Sequence, residues 1–209
     1  MLIPILILFF LPSLYGQEIH KVTSLFNGKS LSGWKVIPEA DTILWKVVEG
    51  NIAGGDGVNR VRGNSYIYTE KEYSNFEFRC LFRLSGDRET GMINSGIQYR
   101  SLIREGKMIG YQADIGEGFW GDIYDEHRRK KLVSGDLSSL QLLLNNDGWN
   151  SYIIRCHGNR HELYINGVKT CEYIERDTQI PSSGVFAIQI HSGGKAKIEV
   201  RDIIITELE

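Results

Sequence analysis

Residues 75–84 read NFEFRCLFRL, and this stretch sets the fold class. Its apolar side chains occupy every second position: Phe76, Phe78, Cys80, Phe82 and Leu84. The positions between them carry the polar side chains of Glu77, Arg79 and Arg83. A period of two is typical of a β-strand with one buried face. Cys80 is therefore predicted to be a small core residue rather than a reactive thiol.

Shorter stretches of the same kind extend in both directions from this strand. They include YIYT (66–69), GIQYR (96–100), GYQADI (110–115), SYIIRCH (151–157) and GVFAIQIH (184–191). Asn166-Gly167 between two such stretches predicts a type I′ hairpin turn, in which both central residues need positive φ. Only residues 137–144 favour a turn or two of helix. Many short strands with almost no helix predict an all-β sandwich or barrel.

Length and composition predict one domain and exclude some partners. The chain has 209 residues, with 23 glycines and 4 prolines, as expected for strands joined by tight turns. Its net charge of −2 gives no basic field for nucleic acid, so no nucleic-acid partner is expected.

The N-terminal stretch MLIPILILFFLPSLY (1–15) is uncharged in its side chains and apolar. It is shorter than the ~20 residues that span a bilayer, and it ends in Gly16-Gln17, which resembles a signal-peptide cleavage site. We expect a signal peptide over residues 1–16, a mature domain over 17–209, no stable membrane insertion after cleavage, and a secreted or periplasmic location. The alternative is an uncleaved membrane anchor, since no Lys or Arg precedes the apolar run.

The three cysteines, an odd number, cannot all pair within the chain. Cys156 and Cys171 flank a predicted hairpin and could form a disulfide, although sequence cannot supply the geometry. No Cys-x-x-Cys motif is present, so a thiolate zinc site is not expected.

Alternation along four segments gathers polar side chains on the face opposite the predicted core. These side chains are Gln98, Arg100, Gln112, Asp114, Gln189 and His191, joined by Trp120, Asp122, Tyr124 and Glu126 if the segment WGDIYDE (120–126) is extended. Amides, carboxylates, a guanidinium and aromatic rings together suit a polyhydroxylated ligand, and an imidazole beside carboxylates suits acid–base chemistry near neutral pH. An ordinary solvated sheet face and a structural histidine are the plainer alternatives.

Several segments in order along the chain carry a family resemblance. They are SLFNGKSLSGW (24–34), WKVVEGNIAG (45–54), TEKEYSNFE (69–77), NSGIQYR (94–100), GYQADIG (110–116), WGDIYDE (120–126), GWNSYII (148–154), ING (165–167) and IQIH (188–191). The sequence resembles the 3-keto-disaccharide hydrolase domain family over nearly the whole mature chain. It departs from the family at Gln112-Ala113-Asp114, where many relatives read Glu-Val-Gln, so acid and amide exchange positions.

The resemblance implies a concanavalin-like jelly-roll β-sandwich of two antiparallel sheets, with a carbohydrate bound on one sheet. It also implies cleavage of glycosides whose C3 hydroxyl has been oxidised to a ketone. The ketone acidifies the hydrogen on C2, so a base can remove it, the group on C1 is eliminated, and water adds back.

Under this hypothesis the expected catalytic residues are His191, Asp114, Tyr124 and Glu126. His191 or Asp114 is the expected base, Tyr124 or Glu126 the acid for the leaving group. Arg100 or a bound divalent cation, Ca²⁺ or Mg²⁺, would stabilise the enediolate. The expected substrate-binding residues are Gln98, Arg100, Gln112, Trp120 and Gln189. Asp122, with Asp114 and Glu126, is the alternative set of metal ligands.

Two other functions remain open at this stage. Jelly rolls also serve as carbohydrate-binding modules, which need aromatics and amides but no acid–base pair. An adhesion domain has only the fold in its favour.

Overall fold

The computed structural model of the protein describes residues 21–146 and 148–209. The expected signal peptide over residues 1–16 lies outside the described residues. Among the described residues, no helix is long and apolar enough to span a membrane.

The described chain forms strands joined by short turns, with three short 3₁₀ helices at Glu39–Leu44, Arg88–Thr90 and Leu140–Leu142. The strands are β1 (Val22–Ser24), β2 (Trp34–Ile37), β3 (Trp45–Val48), β4 (Asn51–Gly55), β5 (Ser65–Tyr73), β6 (Phe76–Asp87), β7 (Asn94–Arg104), β8 (Lys107–Gly116), β9 (Ile123–Glu126), β10 (Lys130–Val133), β11 (Asn150–His157), β12 (Arg160–Ile165), β13 (Val168–Ile174), β14 (Gly184–Ile190) and β15 (Lys195–Glu207).

These strands form two antiparallel sheets. The eight-stranded sheet has the order β13-β12-β11-β6-β15-β4-β3, with β1 also paired to β15. The seven-stranded sheet has the order β10-β9-β8-β7-β14-β5-β2. In the described part of the chain, six of the thirteen neighbouring pairs join consecutive strands and seven join strands distant in sequence, so the order depends on long-range pairing as well as on local hairpins.

The core lies between the two sheets. Phe78 on β6 stacks on Phe186 of β14, with ring centroids 4.6 Å apart and an interplanar angle of 17°. Each sheet buries the apolar face that its alternation predicts, and burial of these aliphatic and aromatic side chains stabilises the sandwich. The predicted all-β jelly-roll sandwich is confirmed, and so is the core position of Cys80, which is 3% exposed.

Turn chemistry follows the sequence at the predicted hairpin. Asn166 and Gly167, between β12 and β13, have φ values of +50° and +80°. These are the left-handed conformations that a type I′ turn requires. The predicted helical turn within 137–144 is the 3₁₀ helix at Leu140–Leu142.

All three cysteines are buried and unpaired. The disulfide considered for Cys156 and Cys171 is therefore not formed. The Cys171 thiol instead donates to the carbonyl of Gly121, with a sulfur–oxygen distance of 3.2 Å. Burial raises the pKa of the Cys156 and Cys171 thiols to about 12, so neither is a nucleophile near neutral pH.

Candidate functional site

A cleft of about 330 Å³ opens on the outer face of the seven-stranded sheet. It brings together five of the side chains that the sequence predicts to act: Gln112, Asp114, Tyr124, Glu126 and His191. Asn64, Met92, Asn94 and Phe119 complete its lining.

Strand geometry explains why these side chains converge. Gln112 and Asp114 alternate on β8 with Ala113, which points into the core. On the neighbouring strand β9, Tyr124 pairs with Gln112, so its side chain lies on the same outer face. Glu126 lies two residues further along β9 and faces the cleft for the same reason.

A chain of hydrogen bonds ends at Asp114. The Ser101 hydroxyl donates to Gln98 Oε1 at 2.9 Å, and Gln98 Nε2 donates to Gln112 Oε1 at 2.6 Å. Gln112 Nε2 in turn donates to Asp114 Oδ1. Gln98 is fully buried, so it orients Gln112 rather than touching a ligand, which differs from the substrate contact expected for it.

A second chain ends at Glu126. Gln189 Nε2 donates to the Tyr66 hydroxyl at 3.2 Å, and that hydroxyl donates to Glu126 Oε1 at 3.0 Å. Asn64 Nδ2 lies 3.5 Å from the same carboxylate oxygen. Gln189 is fully buried and therefore also supports the site from beneath, instead of binding substrate as expected.

Sequence reasoning missed the lining residues Asn64, Met92, Asn94 and Phe119, and also two residues that support the site, Gly96 and Tyr66. A Cβ on Gly96 would lie 2.5 Å from Cγ of Gln112, so only glycine lets the Gln112 side chain lie across β7. An isolated glycine inside a strand pattern is the signal that could have revealed this close approach. Tyr66 carried no such signal, because its partner Glu126 is 60 residues away in sequence.

The carboxyl group of Asp114 is held mainly in its neutral form. It is 3% exposed, and this burial, aided by the nearby charges of Asp122 and Glu126, raises its pKa to about 8. The hydrogen bond from Gln112 opposes the shift but does not cancel it. At pH 7 Asp114 is therefore mostly a carboxylic acid that can donate a proton.

His191 lies immediately after β14 and lines the same cleft. Its Nδ1 is 2.7 Å from the carbonyl oxygen of Ser192. A carbonyl only accepts hydrogen bonds, so Nδ1 carries the proton of the neutral ring and Nε2 carries the lone pair. A half-buried imidazole with this tautomer has the form of a general base.

Tyr124 remains a protonated phenol at neutral pH. Burial, followed by the charges of Glu126 and Asp114, raises the pKa of its hydroxyl. It supplies the cleft with a neutral donor beside the acid Asp114.

The Arg100 side chain does not lie on the same sheet face as Gln98. The contact expected between Arg100 and the enediolate is therefore wrong, because the guanidinium does not reach the cleft. A bulge interrupts the pairing of β7 with β8 between Tyr99 and Leu102, and Arg100 has φ of +47°. The bulge turns the guanidinium away from the cleft, where it donates to the carbonyls of Ser74 and Gly158 at 2.6–2.8 Å. Arg100 therefore ties together two turns of the sandwich.

Trp120 and Asp122 also lie elsewhere than expected. Strand β9 begins only at Ile123, and Gly121 has φ of +70°, so the alternation assumed for residues 120–126 does not extend to the first three. The Trp120 ring packs in the core against Phe82, with centroids 6.3 Å apart.

Of the three carboxylates considered above for a divalent cation, Asp114 and Glu126 line the cleft and Asp122 does not. Asp122 accepts from the Gly135 amide at 2.8 Å and pairs with Lys131 Nζ at 2.5 Å. Within residues 21–146 and 148–209, no group of three or more His, Cys, Asp or Glu side chains is arranged to hold a metal ion.

Solved structures share this fold at low sequence identity. A predicted glycosyl hydrolase from Parabacteroides distasonis ATCC 8503 superposes with a TM-score of 0.65 and 21% identity, over 90% of this chain and 94% of that one. A carbohydrate-binding module from Bacillus subtilis superposes with a TM-score of 0.60 and 14% identity, over 82% and 93%. The VIP36 exoplasmic/lumenal domain in its Ca²⁺/Man₃GlcNAc-bound form gives 0.57 and 10%, over 88% and 87%.

A comparison with curated proteins found no match. Residues 21–206 match a family described as the 3-keto-alpha-glucoside-1,2-lyase-like domain.

Proposed function

Since the chain belongs to the 3-keto-alpha-glucoside-1,2-lyase-like domain family, we propose that it cleaves 3-keto-glycosides, including 3-keto-disaccharides, by elimination and hydration. One observation carries the proposal. A buried carboxylic acid, Asp114, and an imidazole with a free lone pair, His191, line the same cleft. A neutral carboxylic acid and an imidazole with a free lone pair supply the donor and the acceptor that acid–base catalysis needs.

His191 is assigned as the base. The C3 ketone acidifies the hydrogen on C2, and Nε2 of His191 removes that proton, leaving the electron pair in an enolate between C2 and C3. The sequence left His191 and Asp114 as alternatives for this step, and the raised pKa of Asp114 favours His191 because a protonated carboxyl cannot accept the proton.

Asp114 is assigned to the oxygen on C3. A neutral carboxylic acid in a desolvated site can donate a strong hydrogen bond to a developing oxyanion. This replaces the role expected for Arg100, whose guanidinium is bonded elsewhere.

Tyr124 is assigned to the leaving group. The enolate expels the oxygen on C1 and forms a C1–C2 double bond, and the Tyr124 hydroxyl gives that oxygen its proton. Water then adds at C1 and returns a proton to Tyr124, while His191 returns its proton to C2. The sum of these steps is hydrolysis.

The other side chains of the cleft are assigned to hydroxyl recognition. Asn64, Asn94 and Gln112 offer amides, and Glu126 offers a carboxylate held by Tyr66. The substrate-binding role expected for Gln112 is kept in this proposal. Gln98 and Gln189 lie beneath these side chains and orient them through hydrogen bonds.

A carbohydrate-binding module without catalysis is the second candidate. It is favoured by the fold shared with the B. subtilis carbohydrate-binding module and with a domain bound to Man₃GlcNAc. A binder has no need of a carboxyl group with a pKa near 8, which costs stability at neutral pH, and Asp114 therefore favours the enzyme.

Incubation of the purified mature chain with a 3-keto-glucoside and with its unoxidised parent tests the proposal. We expect products, followed by mass spectrometry, from the keto form only, with the same rate in EDTA. Binding of both sugars with cleavage of neither would establish the module instead, and loss of activity in EDTA would show that a metal completes the site.

We also propose that the chain is exported and cleaved after Gly16. The uncharged apolar run over residues 1–15 supports this proposal. N-terminal sequencing of the protein from secreted and periplasmic fractions should begin at Gln17, whereas a chain that retains Met1 in the membrane fraction would identify an anchor.

A further inference from the structure

A second cavity of about 610 Å³ adjoins the cleft, and the proposed reaction assigns nothing to it. Met92 lines both spaces. Phe119 lines the cleft and the next residue, Trp120, lines the cavity, so the two spaces meet along the same turn. A group attached to a sugar in the cleft can therefore extend into the cavity.

The wall of this cavity is apolar. Leu84, Ile93 and Trp120 form it together with Met92, and Leu84 and Trp120 belong to the buried core. The Trp120 ring has Phe82 stacked on it, so it presents only part of its surface and is no platform for a whole sugar ring.

The polar groups of the cavity lie at its exposed side. Arg88 and Glu117 face each other at 3.9 Å, with side chains 53% and 86% exposed, and Asn146 is also exposed. A second sugar ring would need several fixed donors and acceptors near its hydroxyls. Leu84 and Ile93 offer none, and Trp120 offers only its indole N–H.

We propose that this cavity is the subsite for the leaving group, and that it selects apolar aglycones, aryl or long alkyl, over a second sugar. This inference rests on the proposed function, because it takes C1 of the keto sugar as the point of attachment. The glycone occupies the polar cleft between His191 and Asp114, and the group on C1 enters the larger apolar cavity past Met92.

The test compares three 3-keto-glucosides, whose leaving groups are methanol, 2-phenylethanol and glucose. The two simple alcohols have similar acidity, so a difference in kcat/KM between them reports binding rather than leaving-group chemistry. We expect the 2-phenylethyl substrate to exceed the methyl substrate about 10- to 100-fold in kcat/KM, the range that added apolar contact in a pocket gives. The 3-keto-disaccharide should lie below the 2-phenylethyl substrate.

Ile93→Thr places a hydroxyl in the apolar wall and shortens the side chain by one carbon, and it should lower this ratio at least about fivefold. Ile103→Thr is the matched control, because Ile103 is exposed near the opposite end of β7 from the cleft. It should leave the ratio unchanged. Equal kcat/KM for the methyl and 2-phenylethyl substrates, or preference for the disaccharide, would overturn the subsite.

Calorimetric binding of the unoxidised methyl and 2-phenylethyl glucosides separates this inference from the reaction. If no keto substrate is cleaved but the 2-phenylethyl glucoside binds at least about tenfold more tightly, the reaction fails and the subsite stands. Equal affinity of the wild-type protein for the methyl and the 2-phenylethyl glucoside would refute the subsite. This holds whether or not the keto substrates are cleaved, and whatever the result for Ile93→Thr.

Discussion

Asp114→Asn should stabilise the fold and slow turnover, because an amide N–H is a weaker donor to the C3 oxygen than a carboxylic acid. The carboxyl is 3% exposed, and its pKa of about 8 in the folded protein compares with 3.8 in the unfolded chain. Asparagine has almost the same shape, keeps an oxygen to accept from Gln112, and never ionises. The variant therefore removes the cost of burying a charge and leaves the surrounding hydrogen bonds in place.

The sign and size follow from proton linkage. Between pH 3.8 and 8 the folded state holds a proton on Asp114 that the unfolded chain has released, so the free energy of unfolding falls as pH rises. The slope is roughly 1.4 kcal/mol per pH unit for one proton. The variant lacks this slope. The difference in the free energy of unfolding between variant and wild type should therefore grow by roughly 4 kcal/mol, in favour of the variant, between pH 4 and pH 7.

Urea unfolding monitored by tryptophan fluorescence at pH 4, 5, 6 and 7 measures this difference. The other titrating groups cancel in the comparison of variant with wild type. Asp136→Asn is the control, because Asp136 is exposed and hydrogen bonds from Ser138 lower its pKa. The free energy of unfolding of Asp136→Asn should change with pH in the same way as that of the wild type above pH 5. Parallel curves for Asp114→Asn over the same range would mean that Asp114 is ionised throughout, and the assignment of Asp114 as the acid would fall.

Three further results are expected. His191→Ala should lower kcat on a 3-keto-glucoside about 10²- to 10⁴-fold while calorimetric binding of the unoxidised parent changes little, and equal loss of both would deny His191 a catalytic role. Gly96→Ala should displace Gln112, lower the melting temperature and cost about 1–3 kcal/mol, whereas Gly63→Ala, whose added Cβ would meet nothing within 4 Å, should behave as wild type. Ellman's reagent should find no reactive thiol in the native protein and three after denaturation, and a count of one would indicate a disulfide.

The sequence predicted the sheet faces where the strands are regular. Gln112 and Asp114 lie on the outer face and Ala113 lies in the core because β8 alternates without interruption through them. The hairpin at Asn166-Gly167 followed from local backbone preference alone. In these places a pattern of a few residues determines which way each side chain points.

The side chains whose direction was wrongly predicted lie where the backbone leaves the regular strand. The bulge at Arg100 and the left-handed Gly121 each reverse the side chains beyond them, and neither has a signal in the local hydrophobic pattern. Which strands lie side by side was also beyond the pattern, so the pairing of Tyr66 with Glu126 could not be foreseen. Alternation placed these segments on one polar face, and the resemblance to a family added the substrate class expected there.

The hydrogen bonds from Ser101 to Asp114 all run in one direction. Each amide in the series has one end that gives a hydrogen and one that takes it, so turning either glutamine around would set two oxygens against each other. Because Gln98 presents its nitrogen to the oxygen of Gln112, the nitrogen of Gln112 is the end that meets the carboxyl group in the cleft. The orientation of the amide that contacts Asp114 is therefore coupled to that of Gln98, a fully buried side chain that no substrate can reach.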